Sequence, residues 1–158
     1  MHLPTLGRLA LALALAATAT DAAFAQQAPK PEQLIKWRQS TYQAIAWNVA
    51  RIKGNLDGAY QKDDVARAAN AIAALANAGL PTLFPPGTES GKGWHDTTAK
   101  ATLFTDEAGV ASAQAAFVKE ASELARVAQA GDAALVKTQF GTLQRSCKAC
   151  HDNYRNSN

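Results

Sequence analysis

Apolar residues recur along this chain at helical spacing, and glycines and prolines mark the breaks between the runs. Ile35, Tyr42, Ile45, Val49, Ile52 and Leu56 fall three, four or seven positions apart, one stripe of a helix facing a core. Pro31 suits the first turn of that helix, Glu32 complements its dipole, and Gly54 and Gly58 fray or end it. A second stripe, Val65, Ala68, Ile72 and Leu75, predicts a helix capped by Asp63 or Asp64 and stopped by Gly79 and Pro81. Leu80 to Thr97 holds Pro81, Pro85, Pro86, Gly87, Gly91 and Gly93 and must be a loop, long enough to suggest a function or something wrapped inside it. Thr105-Asp106-Glu107 opens a third helix carrying Val110, Ala113, Phe117, Leu124 and Val127. Gly131 ends it and Asp132 caps a fourth, with Leu135, Phe140, Leu143, Cys147, His151 and Tyr154 on roughly one side.

Four helices with short or polar turns predict an all-α protein, an antiparallel four-helix bundle with a cofactor inside it. The Ala-rich composition and scarce β-branched runs favour helix as well. Residues 1 to 25 read as a secretory signal peptide: His2 and Arg8 at the start, an apolar run from Leu9 to Ala17, and Ala23-Phe24-Ala25 as the cleavage site. That run is shorter than the about 20 residues a membrane span requires, so no span is expected after processing. Gln26 to Asn158 is then one domain. The net charge of +3 is mild, and no basic run of the kind nucleic-acid binding requires is present.

The chemistry lies close to the C-terminus. Cys147-Lys148-Ala149-Cys150-His151 is a Cys-x-x-Cys-His sequence, the attachment pattern of a c-type haem. Two thiols add across the two vinyl groups of the porphyrin, and the adjacent imidazole binds iron. On a helix, positions 147, 150 and 151 leave one face. A redox dithiol would sit in a βαβ context, which the pattern lacks, and a structural zinc site wants four ligands. These are the chain's 2 cysteines, and His95 is the one other histidine after the signal peptide. Covalent haem attachment and export agree with each other, so the mature protein is expected in the periplasm with one covalent haem c.

Haem function turns on the second axial position. The 1 methionine is Met1, which leaves with the signal peptide, so composition excludes a His/Met cytochrome. His95, in Gly91-Lys92-Gly93-Trp94-His95-Asp96, offers a second imidazole. A solvated loop histidine is the plainer expectation, and a swing into the sixth position is the alternative.

The whole mature chain resembles cytochrome c′, the class II c-type cytochromes. The resemblance is carried by Lys30-Pro31-Glu32 and Arg38-Gln39-Ser40 on the first helix, by Gly131-Asp132, and by Cys147 to Arg155 on the last. It implies that Cys147 and Cys150 carry the thioethers and that His151 is the proximal ligand. Arg155 matches a basic residue flanking the proximal face, and Arg38 one lying against the haem edge and its propionates. Tyr42 falls at the position facing the iron on the distal side, where many members carry an aliphatic residue or Phe. Low-spin relatives place a methionine on the first helix, and this chain has none there. The resemblance therefore implies a five-coordinate, high-spin iron that binds nitric oxide and carbon monoxide, with electron transfer to a partner the sequence does not name. It also implies a homodimer through helices 1 and 2, and an exposed apolar stripe there that includes Trp37 or Trp47 would be consistent with one.

Two other functions compete. An electron carrier would close its distal site with His95 or leave the iron five-coordinate. A peroxidase-like enzyme would need a distal acid–base residue, and the inferred distal face offers only Tyr42, Ile45 and neighbours of low basicity. The chain is therefore not expected to be an enzyme.

Overall fold

The first apolar stripe folds as α1, Pro31–Asp57, with the proline in its opening turn. The computed structural model describes residues 28–156, so the expected signal peptide lies outside the described residues. Ile35, Ile45 and Ile52 form the buried line of α1, while Tyr42, Val49 and Leu56 pack along its margin. Each fully buried Ile or Leu contributes roughly 1.5–3 kcal/mol, before the chain entropy that folding costs. Two polar residues, Arg38 and Asn48, are buried on the same helix.

The second stripe folds as α2, Lys62–Ala76, but its expected cap is absent. Gln61 precedes the helix without a side-chain cap, and Asp63 and Asp64 lie inside the first turn. Asp64 is turned instead toward α1, where Arg51 and Asn55 donate to its carboxylate. That network ties α1 to α2, and the acidic pair still meets the positive end of the helix dipole.

Asp106 caps α3, Glu107–Ala130, by accepting from the Gly109 N–H. Gly131 ends α3 in the left-handed conformation, and Asp132 caps α4, Ala133–Tyr154, by accepting from two backbone N–H groups. On α4 the buried line is Val136, Phe140 and Leu143, not Leu135, which is 56% exposed. Val136 keeps the spacing of three and four that runs on to Cys147, and Leu135 falls one residue off it.

α1 packs on α2, α2 on α3 and α3 on α4, each following its predecessor in sequence as in an up-and-down bundle. The expected loop is broken by a 3₁₀ turn at Leu80–Leu83, and the irregular connection continues past a second one, Ala101–Phe104. Leu80 and Thr88 are buried, so this connection is seated on the bundle at both points. Among the described residues there is no strand, only isolated bridges pairing Lys92 with Asp96 and Ala99 with Arg155.

Candidate haem site

α1 and α4 both face a cavity of about 440 Å³ that α3 and the 77–106 connection close. That volume lies in the range of ligand pockets. Tyr42, Ile45 and Val49 line it from α1, Val110, Ala113 and Phe117 from α3, and Phe84 and Leu103 from the connection. Cys147, Cys150, His151, Tyr154 and Arg155 line it from α4. The wall is mainly apolar, and its polar members include Arg38 bonded to Thr97 and Gln39 bonded to His95.

The structure brings all the motif residues to this one wall. Cys147 and Cys150 are free and half-buried, and burial pushes both thiols up from their ordinary range. His151 lines the cavity yet remains open to solvent. Partial desolvation pulls its imidazolium below the usual histidine range, the Arg155 cation adds to this, and Asp152 opposes it.

Tyr42 faces the cysteines from α1. Burial, reinforced by Cys150 and Cys147, pushes its phenol up to about 12. The hydroxyl therefore stays protonated, a donor, at any physiological pH. Its ring lies 6.3 Å from that of Phe84, tilted by 60°, and Phe84 lies 6.5 Å from Phe104.

Arg38 is 4% exposed and lines the cavity with its partners drawn from the connection. Its guanidinium donates to Thr88 Oγ1 at 3.1 Å, to the Thr88 carbonyl at 2.8 Å and to Thr97 Oγ1 at 2.6 Å. It also stacks 4.8 Å from the centre of the Phe84 ring. Sequence reasoning reached Arg38 but not Thr88, Thr97 or Phe84, which sit in irregular backbone where no period marks an inward position.

His95 is exposed and lines the cavity. Its Nδ1 lies 2.9 Å from the Asp96 carbonyl, and Gln39 Nε2 donates to the His95 carbonyl at 2.9 Å. Gln39 Oε1 accepts from the Trp94 N–H at 2.7 Å, and Trp94 Nε1 donates to Ser40 Oγ at 2.9 Å. The loop is thus fastened to α1 by polar contacts, and the Trp94 ring stays 67% exposed.

The cavity fits the group the motif implies. Two thiols and an imidazole share a wall, apolar side chains surround the space, and the arginines in its lining suit carboxylates.

Known proteins agree with this geometry. The family model for cytochrome C′ matches residues 33–155. Cytochrome c′ of Rhodocyclus tenuis is 57% identical over 127 residues, covering 80% of this chain and 96% of that protein. A solved cytochrome c′ with ligand-controlled dimer dissociation superposes with a TM-score of 0.79 at 41% identity, covering 82% of this chain and 98% of that one. The nitric oxide complex of a mutant cytochrome c′ from Alcaligenes xylosoxidans superposes with a TM-score of 0.70 at 32% identity, covering 81% and 98%.

Proposed function

The chain belongs to the cytochrome c′ family, and from that premise we propose that it is a periplasmic haem protein whose iron is five-coordinate at rest and binds diatomic gases. Cys147 and Cys150 hold the porphyrin through thioethers, and His151 supplies the one protein ligand to iron. The bound haem supplies an iron that takes up nitric oxide or carbon monoxide and can exchange an electron with a redox partner.

One observation carries this reading. The cavity wall facing the thiols is built from Tyr42, Ile45, Val49 and Phe84, with no methionine or lysine among the described lining residues. The side chains there offer the distal position no strong ligand, and the cavity's other imidazole, His95, sits at the exposed edge. Tyr42 fills the space a gas must enter, and its protonated hydroxyl is placed to donate to a ligand once the ring has moved. Arg38 offers its remaining guanidinium N–H groups to the haem carboxylates, and Arg155, four residues beyond His151, flanks the proximal face. Asp and Glu are absent from the described lining residues, and His95, the remaining acid–base candidate beside the proposed iron ligand, is held at the exposed edge by its Asp96 and Gln39 contacts.

Assembly as a homodimer through α1 and α2 is part of the same reading. Trp37 and Trp47 are 44% and 61% exposed on α1, apolar area that a second copy would cover.

A second reading, a six-coordinate electron carrier, is favoured by one fact: His95 lines the cavity. The Nδ1 contact to Asp96 and the grip of Gln39 hold that residue at the exposed edge, and this favours the first reading.

Absorption and resonance Raman spectra of the processed holoprotein, ferric and ferrous, with and without nitric oxide, decide between them. The expected result is a high-spin, five-coordinate resting iron that takes up nitric oxide. A low-spin resting iron that becomes high-spin in His95→Ala would establish the second reading instead.

A further inference from the structure

The last turn of α4 carries His151, and its carbonyls are met from outside the helix. A helix leaves its last four C=O groups without intrahelical partners. Here the Arg155 N–H returns to the His151 carbonyl at 3.0 Å. Lys100 Nζ donates to the Asp152 carbonyl at 2.7 Å, Thr102 Oγ1 to that of Asn153 at 3.3 Å, and the Lys100 N–H to that of Tyr154 at 2.9 Å. A three-residue stretch of the connection thus takes three consecutive carbonyls.

Beneath this contact the Tyr154 side chain runs inward, 6% exposed, and its hydroxyl donates to Asp106 Oδ2 at 2.6 Å. The other oxygen of Asp106 accepts from the Gly109 N–H at 3.0 Å as the cap of α3. A Cβ on Gly109 would collide with both the Asp106 carboxylate and the Tyr154 hydroxyl, so only glycine permits this approach. The bond is charge-assisted and short. It holds the Asp106 carboxyl below its usual range and raises the Tyr154 phenol to about 12, so the pair keeps one protonation state across physiological pH.

Helix ends fray unless tied, and the amount of opening sets how sharply a side chain on the last turn is oriented. His151 and Tyr154 are three residues apart, neighbours on one helix face. We propose that Asp106 and Tyr154, assisted by Lys100 and Thr102, are positioning residues that fix the orientation of the His151 imidazole by locking the last turn of α4 to the first turn of α3. This rests on the reading of His151 as the iron ligand. It assigns the locked turn a role in setting the axial bond, beyond holding the bundle together.

The test uses the holoprotein, with Tyr154→Phe and Asp106→Ala as the disrupting variants. Asp106→Asn keeps an acceptor for Gly109 and turns an amide toward the Tyr154 oxygen. Asp132→Ala weakens the same helix at its other end. Two readouts are taken: the ferric electron paramagnetic resonance spectrum, and amide hydrogen exchange of residues 150–155. Tyr154→Phe and Asp106→Ala should shift or broaden the iron signal and speed exchange by on the order of tenfold, the factor that about 1.4 kcal/mol of local opening produces. Asp132→Ala should leave both near wild type, and Asp106→Asn, which puts a neutral bond in place of the charge-assisted one, should move both by less than Asp106→Ala. Thr102→Val, which deletes one bond, should move both readouts the same way by less, and it serves if Asp106→Ala does not fold.

Unchanged exchange in Tyr154→Phe overturns the proposal. Faster exchange with an unchanged iron signal also overturns it, because the contact is then structural only. An equal effect from Asp132→Ala overturns it as a general loss of stability. A low-spin, six-coordinate resting iron would defeat the proposed function but not this test, since the low-spin signal also reports axial orientation.

Discussion

The buried guanidinium of Arg38 donates to both the hydroxyl and the carbonyl oxygen of Thr88, at 3.1 and 2.8 Å. The two residues are 50 positions apart, one on α1 and the other in the connection that closes the cavity. Thr88 is itself 1% exposed, so removing the arginine leaves its buried carbonyl without this donor. Arg38→Met should therefore destabilise the protein by about 2–3 kcal/mol, the cost of leaving buried polar groups unpaired. Chemical denaturation of the holoprotein measures it. Arg38→Lys should recover only part of the loss, because an ammonium lacks the planar fork that serves Thr88 and Thr97 together.

Tyr42 gives the most direct test of gas access. In the proposed reading its ring must move before a ligand binds. Tyr42→Ala should speed carbon monoxide association with the ferrous protein by on the order of tenfold, the effect of removing about 1.4 kcal/mol of barrier. Tyr42→Phe retains the ring and should leave association nearly unchanged, while ligand dissociation speeds up through loss of the hydroxyl donor. Flash photolysis separates the two rates. Equal association rates in Tyr42→Ala and the wild type would exclude a gating ring.

Alkaline pH should unfold the protein through its tyrosines. Tyr42 and Tyr154 both have phenols raised to about 12, the first by burial and the second by its bond to Asp106. A phenol with a raised folded pKa binds its proton more tightly in the folded state than in the unfolded chain. The stability it contributes is complete below the ordinary tyrosine pKa of about 10 and is lost as pH rises from there through about 12. Thermal melts across that window should show a falling midpoint, and the fall should shrink in Tyr42→Phe and Tyr154→Phe. Phenolate absorption should appear together with unfolding rather than before it.

Gly131 joins α3 to α4 at φ +82°, in the left-handed region that other residues enter at a cost. An added Cβ would also press the Lys62 side chain, approaching its Cδ to 2.5 Å. Lys62 can swing away, so the backbone dominates the penalty. Gly131→Ala should cost about 1–2 kcal/mol with an unchanged haem spectrum. A calorimetric midpoint checks the first part and an absorption scan the second.

Much of the fold was legible before any coordinates. The stripe Ile35, Ile45, Ile52 is the buried line of α1, Asp132 caps α4, and Gly131 ends α3. These features depend on interactions within a few residues, where helical period and capping chemistry leave a local trace. The misreadings were of a different kind. Asp64 looked like a cap because its neighbours in sequence allowed one, but Arg51 and Asn55 on another helix held it. Leu135 was grouped with the apolar side of α4, and the buried line begins one residue later, at Val136.

By itself, the sequence determined four helices and a haem-attachment motif on the last of them. It also placed the 1 methionine at Met1, inside the expected signal peptide. Each of those follows from residue identity at short range. Only the tertiary structure decided that Arg38 is spent on Thr88 and Thr97, that Phe84 forms part of the cavity wall, and that Tyr154 reaches Asp106. Those pairings join segments about fifty positions apart, through irregular backbone that carries no period. They are chosen by the need to satisfy every polar group the fold buries, and that need exists only once the helices have packed.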